Sequence, residues 1–525
     1  MVDFGIILYY NSICVNLCIF RRFILYISVL DWLDETAKKF PEKPAFFDDK
    51  HSVSFSRFQE ITKSIGTCLA SRIPAGSPVV CMSGRHCDTP AYFLSIVRAG
   101  CFYAPIDSTM PDYRLRQMIS VVDAKYMLVD RENYEKATQL GFDGEIFIAE
   151  DMADTPADEA LLSKARENMN EQAPLYVIFT SGSTGVPKGV ITSHQSLMCY
   201  IDAVSEVLEV DETDVFGGQA PLDYIAAVRD IYLPLYTGAS TVIIPKNIFS
   251  MPNELFSMLN EYKVTALCWS VAGVSLPAKL NAFSESKPEY LKKVVFSGSV
   301  MPGKYLRIWQ DALPEVTYIN QYGPTEATAS CTYHIVDEIA DDATVLPIGK
   351  PYKHYSVTVI TPDGKKADVG ETGEICVSGP CLALGYYGNA EKTAQSFVQN
   401  PLNSNFRELI YKTGDIGSFD ENGVLHFHGR ADRQIKHMGH RIELEEIEST
   451  AKAIEGVSDC CSLYQKEKEL LYLFYTGEAD KKAISLYFRA NLPAFMSPRK
   501  IIPLEELPTL PNGKIDMTTL KSYFK

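Results

Sequence analysis

Residues 176–189 read YVIFTSGSTGVPKG, an apolar strand pattern that runs directly into a loop of hydroxyl-bearing residues and glycines. Glycine lets the backbone turn and brings its N–H groups close to a ligand, hydroxyls add short-range donors, and Lys188 adds positive charge. The loop lacks the G-x-x-x-x-G-K-[ST] order of a Walker A motif. An isolated Ser/Gly run is more often an exposed turn, but this combination after a buried strand suits a polyphosphate.

Strands and helices alternate around this loop. Residues 28–40 and 91–100 carry apolar residues at helical spacing. Short apolar runs of strand type lie at 77–83, 101–107, 240–245, 264–270 and 293–299. Alternation of this kind predicts an α/β fold with a largely parallel sheet.

The pattern changes after about residue 347, where Gly and Pro become frequent and short strands dominate. The runs at 355–364, 373–379 and 423–429 predict a β-rich subdomain closed by hairpins. From residue 432 a compact α+β segment follows.

Within that last segment, residues 441–454 are expected to form an amphipathic helix. Ile442, Ile447 and Ile454 would lie on its buried face, with the carboxylates outside. The predicted organisation is an apolar N-terminal extension (1–29), a large domain (30–431) and a small mobile C-terminal domain (432–525).

The N-terminal extension fits neither a membrane span nor a signal peptide. Residues 5–30 are mostly apolar, but Arg21 and Arg22 lie in the middle. A spanning helix needs about 20 apolar residues without central charges, and a signal peptide carries its charges first. We therefore expect no stable membrane span and interpret residues 1–29 as an extension outside the fold, with a membrane-associating segment as the alternative.

Composition excludes some function classes. The 525 residues carry a net charge of −16, which argues against a nucleic-acid partner, because that would need a basic face. The 13 cysteines include no C-x2-C pair, so we interpret them as reduced thiols of a cytoplasmic protein. Residues 433–525 hold 14 Lys/Arg and 13 Asp/Glu, so an acidic partner would meet less repulsion there.

Four further motifs carry chemically useful side chains. In NQYGPTE (320–326), Tyr322 could stack on a base and Glu326 could hold Mg²⁺. In YKTGD (411–415), Asp415 could bind ribose hydroxyls. The last two are GRADRQIK (429–436) and PNGKID (511–516), and the second of these puts Lys514 on a turn. Each of these is weak evidence alone.

In this order and spacing the motifs resemble the adenylate-forming superfamily, which includes acyl-CoA synthetases, firefly luciferase and the amino-acid adenylation domains of nonribosomal peptide synthetases. The resemblance covers residues 30–525. The stretch HMGHRIELEEIE (437–448) is most similar to peptide-synthetase adenylation domains and to D-alanine–carrier protein ligase. The resemblance implies a ligase that uses ATP and Mg²⁺ to form an acyl-adenylate and then passes the acyl group to a thiol.

The resemblance also implies roles for individual residues. Lys514, Thr325 and Glu326 would be catalytic, with Glu326 as the metal ligand. Asp432 would be the hinge about which the small domain swings, replacing Lys514 at the site with residues 434–436. The implied nucleotide-binding residues are Thr180, Ser181, Gly182, Ser183, Thr184, Gly185, Lys188, Gly298, Asn320, Tyr322, Gly323, Asp415 and Arg430.

The identity of the acid stays open. Amino-acid enzymes of this family carry a Phe-Asp pair whose aspartate holds the substrate ammonium, and the aligned pair here is Tyr224-Ile225. Either Asp223 is recruited by a shift of the loop, or the substrate is not an α-amino acid. Arg229 could meet a second carboxylate, or could lie on the outer face of a helix. The implied pocket comprises Asp223, Tyr224, Ile225, Ala226, Arg229, Cys268, Val295, Ser297, Gln321, Ala329 and Ser330.

The acceptor thiol is also an expectation. The chain ends eleven residues after Lys514 with no carrier domain, which favours a separate acyl or peptidyl carrier protein. The alternatives are an acyl-CoA synthetase and, from another class, a catalytically silent ATP-binding homologue. Glu326, Asp415, Arg430 and Lys514 are all present, which argues against the silent homologue.

Overall fold

The computed structural model describes residues 26–182, 185–337, 339, 345–510 and 515–524. Residues 1–25 of the predicted extension lie outside the described residues, as do Ser183, Thr184 and Lys514. The first described helix begins at Val29 and is capped by Ser28, so residues 28–29 pack with the large body rather than apart from it.

A nine-stranded sheet forms the first half of the large body. Its six central strands are parallel, because helices cross over between them, and its edge strands are antiparallel. In spatial order the strands are Lys350–Pro351, Thr332–Val336, Thr317–Tyr322, Lys293–Ser297, Ala266–Ser270, Val215–Gly218, Ser240–Ile243, Pro44–Phe47 and Ser52–Ser54.

A seven-stranded sheet forms the second half, with five parallel strands and an antiparallel edge. Its strands in spatial order are Gly385–Tyr386, Lys188–Ser193, Pro174–Thr180, Phe102–Ile106, Pro78–Met82, Tyr126–Val129 and Glu145–Ile148. Both parallel sheets match the α/β prediction. The central strands of both sheets are almost entirely buried, which explains their nearly continuous apolar runs.

The predicted β-rich subdomain is an antiparallel five-stranded sheet. It contains Ser356–Ile360, Gly373–Ser378, Phe397–Gln399, Leu409–Phe419 and Leu425–Arg430. Beyond it lie the hairpin Ile435–His437/His440–Ile442 and a three-stranded sheet of Val457–Gln465, Leu470–Gly477 and Lys500–Pro503. The predicted division at residues 431/432 falls between the five-stranded sheet and this hairpin.

Helices cover the faces of these sheets. Those of the large body are Val29–Lys39, Phe55–Ala70, Thr89–Arg98, Asp112–Val122, Tyr134–Gln139, Glu159–Ala165, His194–Val207, Ala227–Thr237, Pro252–Glu261, Val271–Lys279, Gly303–Ala312 and Ala390–Ser396. Those after residue 432 are Leu444–Lys452, Lys481–Asn491 and Met517–Lys521, and they enclose a separate apolar core on the three-stranded sheet. Among the described helices, none has the length and apolar character that a membrane crossing requires.

One expectation about the small domain was wrong. Ile442, Ile447 and Ile454 are buried as predicted, but the helix covers only Leu444–Lys452 and its carboxylates do not all face outward. Glu446 is 0% exposed and forms an ion pair with Arg114 of the large body. Helical periodicity could not reveal this, because the face that is polar on the isolated helix packs against a second domain.

A buried histidine provides a test of the core of the large body. His194 is fully buried, and its Nδ1 accepts a hydrogen bond from the Val29 N–H. Burial, together with the nearby charge of Arg166, lowers the pKa of His194 to about 3. The folded state therefore favours the neutral ring, whereas the unfolded chain becomes protonated below its ordinary pKa of 6.5.

We expect this histidine to cost stability as the pH falls below about 6.5. Between pH 7 and pH 5 the large body should lose about 2 kcal/mol of unfolding free energy through this group. His194→Gln should remove that increment, and His428→Gln, which alters an exposed histidine, should retain it. Urea unfolding followed by tryptophan fluorescence measures this, because Trp32, Trp269 and Trp309 all lie in the large body. Equal pH slopes for wild type and His194→Gln would contradict the assignment.

Candidate active site

The motif residues gather where the carboxyl ends of parallel strands from both sheets meet, the usual ligand position in open α/β sheets. Thr180, Ser270, Ser297 and Tyr322 each end such a strand. A cavity of about 70 Å³ lies among them. Its lining comprises Tyr224, Ile225, Ala226, Arg229, Ser270, Ser297, Gly298, Gly323, Pro324, Thr325, Ala329, Ser330, Asp415, Arg430, Gln434, Lys436, Gly439 and Arg441.

The phosphate-loop candidates face the small domain. Ser181 Oγ donates to the Arg441 carbonyl at 2.8 Å, and the Gly182 N–H donates to Glu446 Oε2 at 3.2 Å. Lys188 Nζ lies 3.0 Å from Glu443 Oε1. A Cβ at Gly182 would come within 1.9 Å of the Val186 carbonyl, so the turn requires glycine there. The loop therefore presents N–H and ammonium donors. In this arrangement, carboxylates of the small domain accept hydrogen bonds from these donors.

The three residues expected to bind adenosine, Tyr322, Asp415 and Arg430, are connected by hydrogen bonds, and we call them the adenosine group. Tyr322 OH donates to Asp415 Oδ2 at 2.5 Å, and Asp415 Oδ1 accepts from Arg430 Nη1. Arg430 also donates from Nε and Nη2 to Asp432, at 2.6 and 2.7 Å. Burial, reinforced by Asp415, raises the pKa of Tyr322, so the phenol stays a neutral donor. A Cβ at Gly323 would collide with the Ser330 backbone at 2.5 Å, which keeps this turn tight.

Glu326 is 0% exposed and is neutralised by a residue that the sequence motifs did not indicate. Arg441 Nη1 donates to both of its oxygens, at 2.9 and 3.2 Å, and Tyr386 OH donates to Oε1 at 2.7 Å. Burial opposes ionisation, but the charges of Arg441 and Lys188 outweigh it and lower the pKa of the carboxyl. Glu326 is therefore an ionised, oriented carboxylate.

A carboxylate of this kind is the donor that Mg²⁺ prefers, and Glu326 fits the predicted metal role chemically. Here the guanidinium of Arg441 supplies the opposite charge instead. Metal binding by Glu326 and its pairing with Arg441 are therefore alternatives.

Residues 434–442 bring the small domain into the site. Lys436 Nζ lies 5.6 Å from the centroid of the Tyr322 ring, and Gln434 Nε2 donates to Glu443 Oε1 at 2.7 Å. Burial lowers the pKa of Lys436, partly offset by Asp415. Residues 434–436 therefore border the candidate nucleotide site in this arrangement.

The predicted acyl pocket is largely assembled. Tyr224, Ile225, Arg229, Ser297, Ala329 and Ser330 line the cavity together with Ala226. Cys268 and Val295 are buried at the same register on adjacent parallel strands, and Gln321 contacts Arg229. Arg229 is 1% exposed, so its alternative placement on an outer helix face was wrong.

Asp223 lies apart from this pocket. It lines a neighbouring cavity of about 290 Å³ with Asp107, Arg85 and Lys246, and it also lines the larger interdomain cavity described below. It is not among the residues that line the acyl cavity itself. Desolvation, reinforced by Asp107, raises the pKa of Asp223 to about 7. The loop shift that would recruit Asp223 to a substrate ammonium is therefore not seen in this structure.

A larger cavity of about 460 Å³ lies between the two domains and adjoins the acyl cavity. The two share Tyr224, Ala226, Ser270, Gly439 and Arg441 as lining residues. Its small-domain wall consists of residues 438–441 and 493–496. The rings of His440 and Phe495 stack there with centroids 3.7 Å apart, and burial lowers the pKa of His440 to about 4, so the ring is neutral. The sequence motifs did not predict this channel, because its walls come from two domains.

One further group of possible metal ligands lies away from the site. Asp48, His51 and Cys87 come together at the end of the nine-stranded sheet. Asp48 already accepts hydrogen bonds from the backbone N–H groups of Lys50, His51 and Cys87. Its carboxylate therefore has a structural role in shaping this turn.

Comparisons with known proteins agree with this geometry. A family model described as AMP-binding enzyme matches residues 33–387. A D-alanine–D-alanyl carrier protein ligase of Bacillus anthracis is 30% identical over 522 residues, covering 94% of this chain and 99% of the relative. The ligase of the same name from Bacillus cereus (strain B4264) is also 30% identical, over 523 residues, with the same coverage.

Solved structures show the same fold. The Vibrio cholerae adenylation domain AlmE, in complex with glycyl-adenosine-5'-phosphate, has a TM-score of 0.82 at 21% identity and covers 95% of this chain and 98% of that chain. NpsA-ThdA, an artificially fused adenylation–PCP di-domain from Klebsiella oxytoca, has a TM-score of 0.79 at 21% identity and covers 91% and 94%. The motif-based resemblance is thereby confirmed, and the chain belongs to the AMP-binding enzyme family.

Proposed function

We propose that this chain is an ATP-dependent ligase that adenylates a small carboxylic acid and transfers the acyl group to the thiol of a separate carrier protein. One observation carries the proposal: Asp415 and Arg430 of the adenosine group, the acyl pocket and the small-domain hairpin border a single cavity, and the interdomain channel adjoins it. A nucleotide, an acid and a thiol can thus meet at one point. The unpaired cysteines of the described chain fit a cytoplasmic location.

In the first half-reaction an oxygen of the substrate carboxylate attacks the α-phosphorus of ATP, and the bond to the departing pyrophosphate breaks. The protein contributes position and charge stabilisation. Lys188 and the N–H groups of residues 180–185 would hold the phosphates, Tyr322 the adenine, and Asp415 with Arg430 the ribose. Asn320, Gly298 and Gly323 would shape the floor, and Thr325 would contact the α-phosphate.

Mg²⁺ would be held by Glu326 together with phosphate oxygens, and it would neutralise phosphate charge. Its binding requires Arg441 to leave Glu326. A rotation of the small domain that withdraws the hairpin accomplishes this, and it would bring Lys514 toward the site.

In the second half-reaction the thiol attacks the acyl carbonyl, its proton leaves, and AMP departs with the electron pair of the mixed anhydride. The 460 Å³ channel would admit the phosphopantetheine arm between Tyr224 and the stacked His440 and Phe495. The names of the Bacillus relatives support a carrier protein as acceptor. CoA, which carries the same pantetheine thiol, is the second candidate.

Asp432 is the proposed hinge, because the arginine before it contacts the large body and the arginine after it contacts the small domain. Arg430 on its N-terminal side belongs to the adenosine group, and Arg433 on its C-terminal side pairs with Glu448 at 2.7 Å within the small domain. Hinges of this kind absorb backbone rotation at one or two residues.

Replacing Asp432 by proline fixes φ near −65°. We expect Asp432→Pro to reduce thioester formation by at least about tenfold more than adenylation, because only the complete cycle needs both arrangements. Asp432→Ala is the matched control, since it removes the carboxylate bonded to Arg430 but leaves the backbone free. Separate assays of pyrophosphate exchange and of thioester product measure the two steps. Equal loss of both steps in the proline variant would contradict a hinge.

Pyrophosphate exchange into ATP across a panel of carboxylic acids tests the proposed function. Exchange with at least one acid is the expected result, and no exchange with any acid would support the catalytically silent homologue instead. Once an acid is found, CoA and a phosphopantetheine-loaded carrier protein are offered as competing acceptors. A CoA thioester as the main product would refute transfer to a carrier.

A further inference from the structure

Arg229 brings a buried positive charge to the acyl pocket. It lies on the helix Ala227–Thr237, in which residues 227–235 are all buried, so this helix has no solvent face. Its side chain lines the cavity that Asp415 and Arg430 also line. A guanidinium is not deprotonated in proteins and is costly to bury without a counter-charge.

The protein does not supply that counter-charge. Arg229 Nη1 donates to the neutral Gln321 Oε1, and its Nε has no hydrogen-bond partner. Among the described residues, no carboxylate lies within ion-pair distance of Arg229. Gln321 is itself fixed, since its Nε2 donates to Tyr352 OH at 2.6 Å and its Oε1 also accepts from Ser330 Oγ at 3.3 Å.

The nearest acidic residue in sequence does not fill this role. Asp230 follows Arg229 on the helix, and neighbours at i, i+1 do not face each other. Its Oδ2 lies toward Gly218, on the strand beneath the helix, and its Oδ1 has no partner. Burial raises the pKa of Asp230 to about 7, although Arg229 and Arg85 act to lower it. Asp230 is therefore only partly ionised at neutral pH.

The same pocket lacks the carboxylate that would pair with a substrate ammonium in the amino-acid enzymes. Tyr224 and Ile225 stand at the positions of the expected aromatic–aspartate pair, and Asp223 lines the neighbouring cavity and the interdomain channel but not the acyl cavity. A substrate ammonium beside Arg229 would meet like charge, and the carboxylate that lines the same cavity, Asp415, is already paired with Arg430. Ser297, Ser330 and Gln321 add neutral hydrogen-bonding groups around the guanidinium.

We infer that the substrate acid carries a second anionic group, and that Arg229 pairs with it. A short dicarboxylate fits best, because a guanidinium binds a carboxylate through two parallel N–H donors and the cavity is small. One carboxylate would react with ATP while the other sits against Arg229. Arg229 is thus a specificity-determining residue, and this inference rests on the proposed adenylation activity.

Wild-type enzyme tests the inference without any substitution. Pyrophosphate exchange at pH 7 is measured with succinate and glutarate, with succinamate as the neutral isostere, and with butyrate and D-alanine. We expect kcat/KM for succinate or glutarate to exceed that for the other three acids by about 10²-fold. The other three acids lack the second carboxylate, so they leave the buried guanidinium without its charged hydrogen-bond partner. Exchange with butyrate or D-alanine at least as fast as with the dicarboxylates would overturn the inference and leave adenylation intact. Exchange with no acid would instead refute the proposed function.

Substitution of Arg229 tests whether the preference for dicarboxylates arises from its guanidinium. Arg229→Gln should lose about 10²-fold in kcat/KM for the dicarboxylate, mainly through KM, while succinamate changes little, so the preference disappears. Arg229→Lys keeps the charge and should restore part of the dicarboxylate activity. Arg489→Gln, which alters an exposed arginine of the small domain, should behave as wild type. An undiminished dicarboxylate preference in folded Arg229→Gln would overturn the assignment, and if that variant does not fold the wild-type panel decides.

Discussion

Arg441→Ala is expected to block thioester formation while leaving adenylation nearly unchanged. In this structure Glu326 is fully buried and both of its oxygens bind Arg441. Removing one partner of a buried pair leaves an uncompensated charge and typically costs 3–5 kcal/mol. The arrangement with residues 434–442 in the site should be destabilised by about 3 kcal/mol or more, a loss of at least about 10²-fold in thiol transfer.

Adenylation should escape this loss because it uses the other arrangement. There the proposed partner of Glu326 is Mg²⁺, and the hairpin that carries Arg441 is withdrawn. Single-turnover transfer from preformed acyl-adenylate to free pantetheine measures the thiol step, and pyrophosphate exchange measures the first step. Arg489→Ala, at an exposed position of the same domain, is the control. Equal loss of both steps in Arg441→Ala would refute the exchange of partners at Glu326.

Much of the large body was predictable because its signals are local. The strand ending at Thr180 is followed at once by its glycine turn, and the helix from Val29 carries its own cap at Ser28. Motif residues that lie far apart in sequence, such as Tyr322 and Asp415, converge because each follows or lies on a strand of a predictable sheet. Fold class therefore follows from short-range pattern and order, whereas the proposed nucleotide residues come from the resemblance of the motifs.

The remainder depends on placement that no local pattern encodes. The pair Arg114–Glu446 joins residues on different domains, and its two helices look like surface helices in isolation. Arg229 was ambiguous for a related reason, since its helix is enclosed on all sides and loses the polar face that periodicity would assign. Asp223 lies two positions from the expected aspartate, and the turn at residues 221–224 directs it into a separate cavity.

The second large effect concerns Lys514, the residue of the PNGKID motif. Lys514→Ala is expected to reduce acyl-adenylate formation by about 10²–10³-fold, equivalent to about 2.7–4 kcal/mol, because a preorganised donor is lost where negative charge develops between the carboxylate and the α-phosphate. ATP binding should persist, since its proposed contacts are with Lys188, Tyr322, Asp415 and Arg430. Pyrophosphate exchange and equilibrium binding of ATP measure the two effects.

Measuring transfer to the thiol distinguishes a catalytic role of Lys514 from a general structural one. With the hairpin in the site, Lys436 lies over the Tyr322 ring, so preformed acyl-adenylate should react with pantetheine in Lys514→Ala at nearly the wild-type rate. Lys521→Ala, which alters a lysine on the helix Met517–Lys521, is the control for damage to this end of the chain. Full pyrophosphate exchange in Lys514→Ala would remove the lysine from the mechanism. A parallel loss of thiol transfer would show that the substitution damages the domain instead, because in the proposed cycle the two half-reactions place different lysines against the nucleotide.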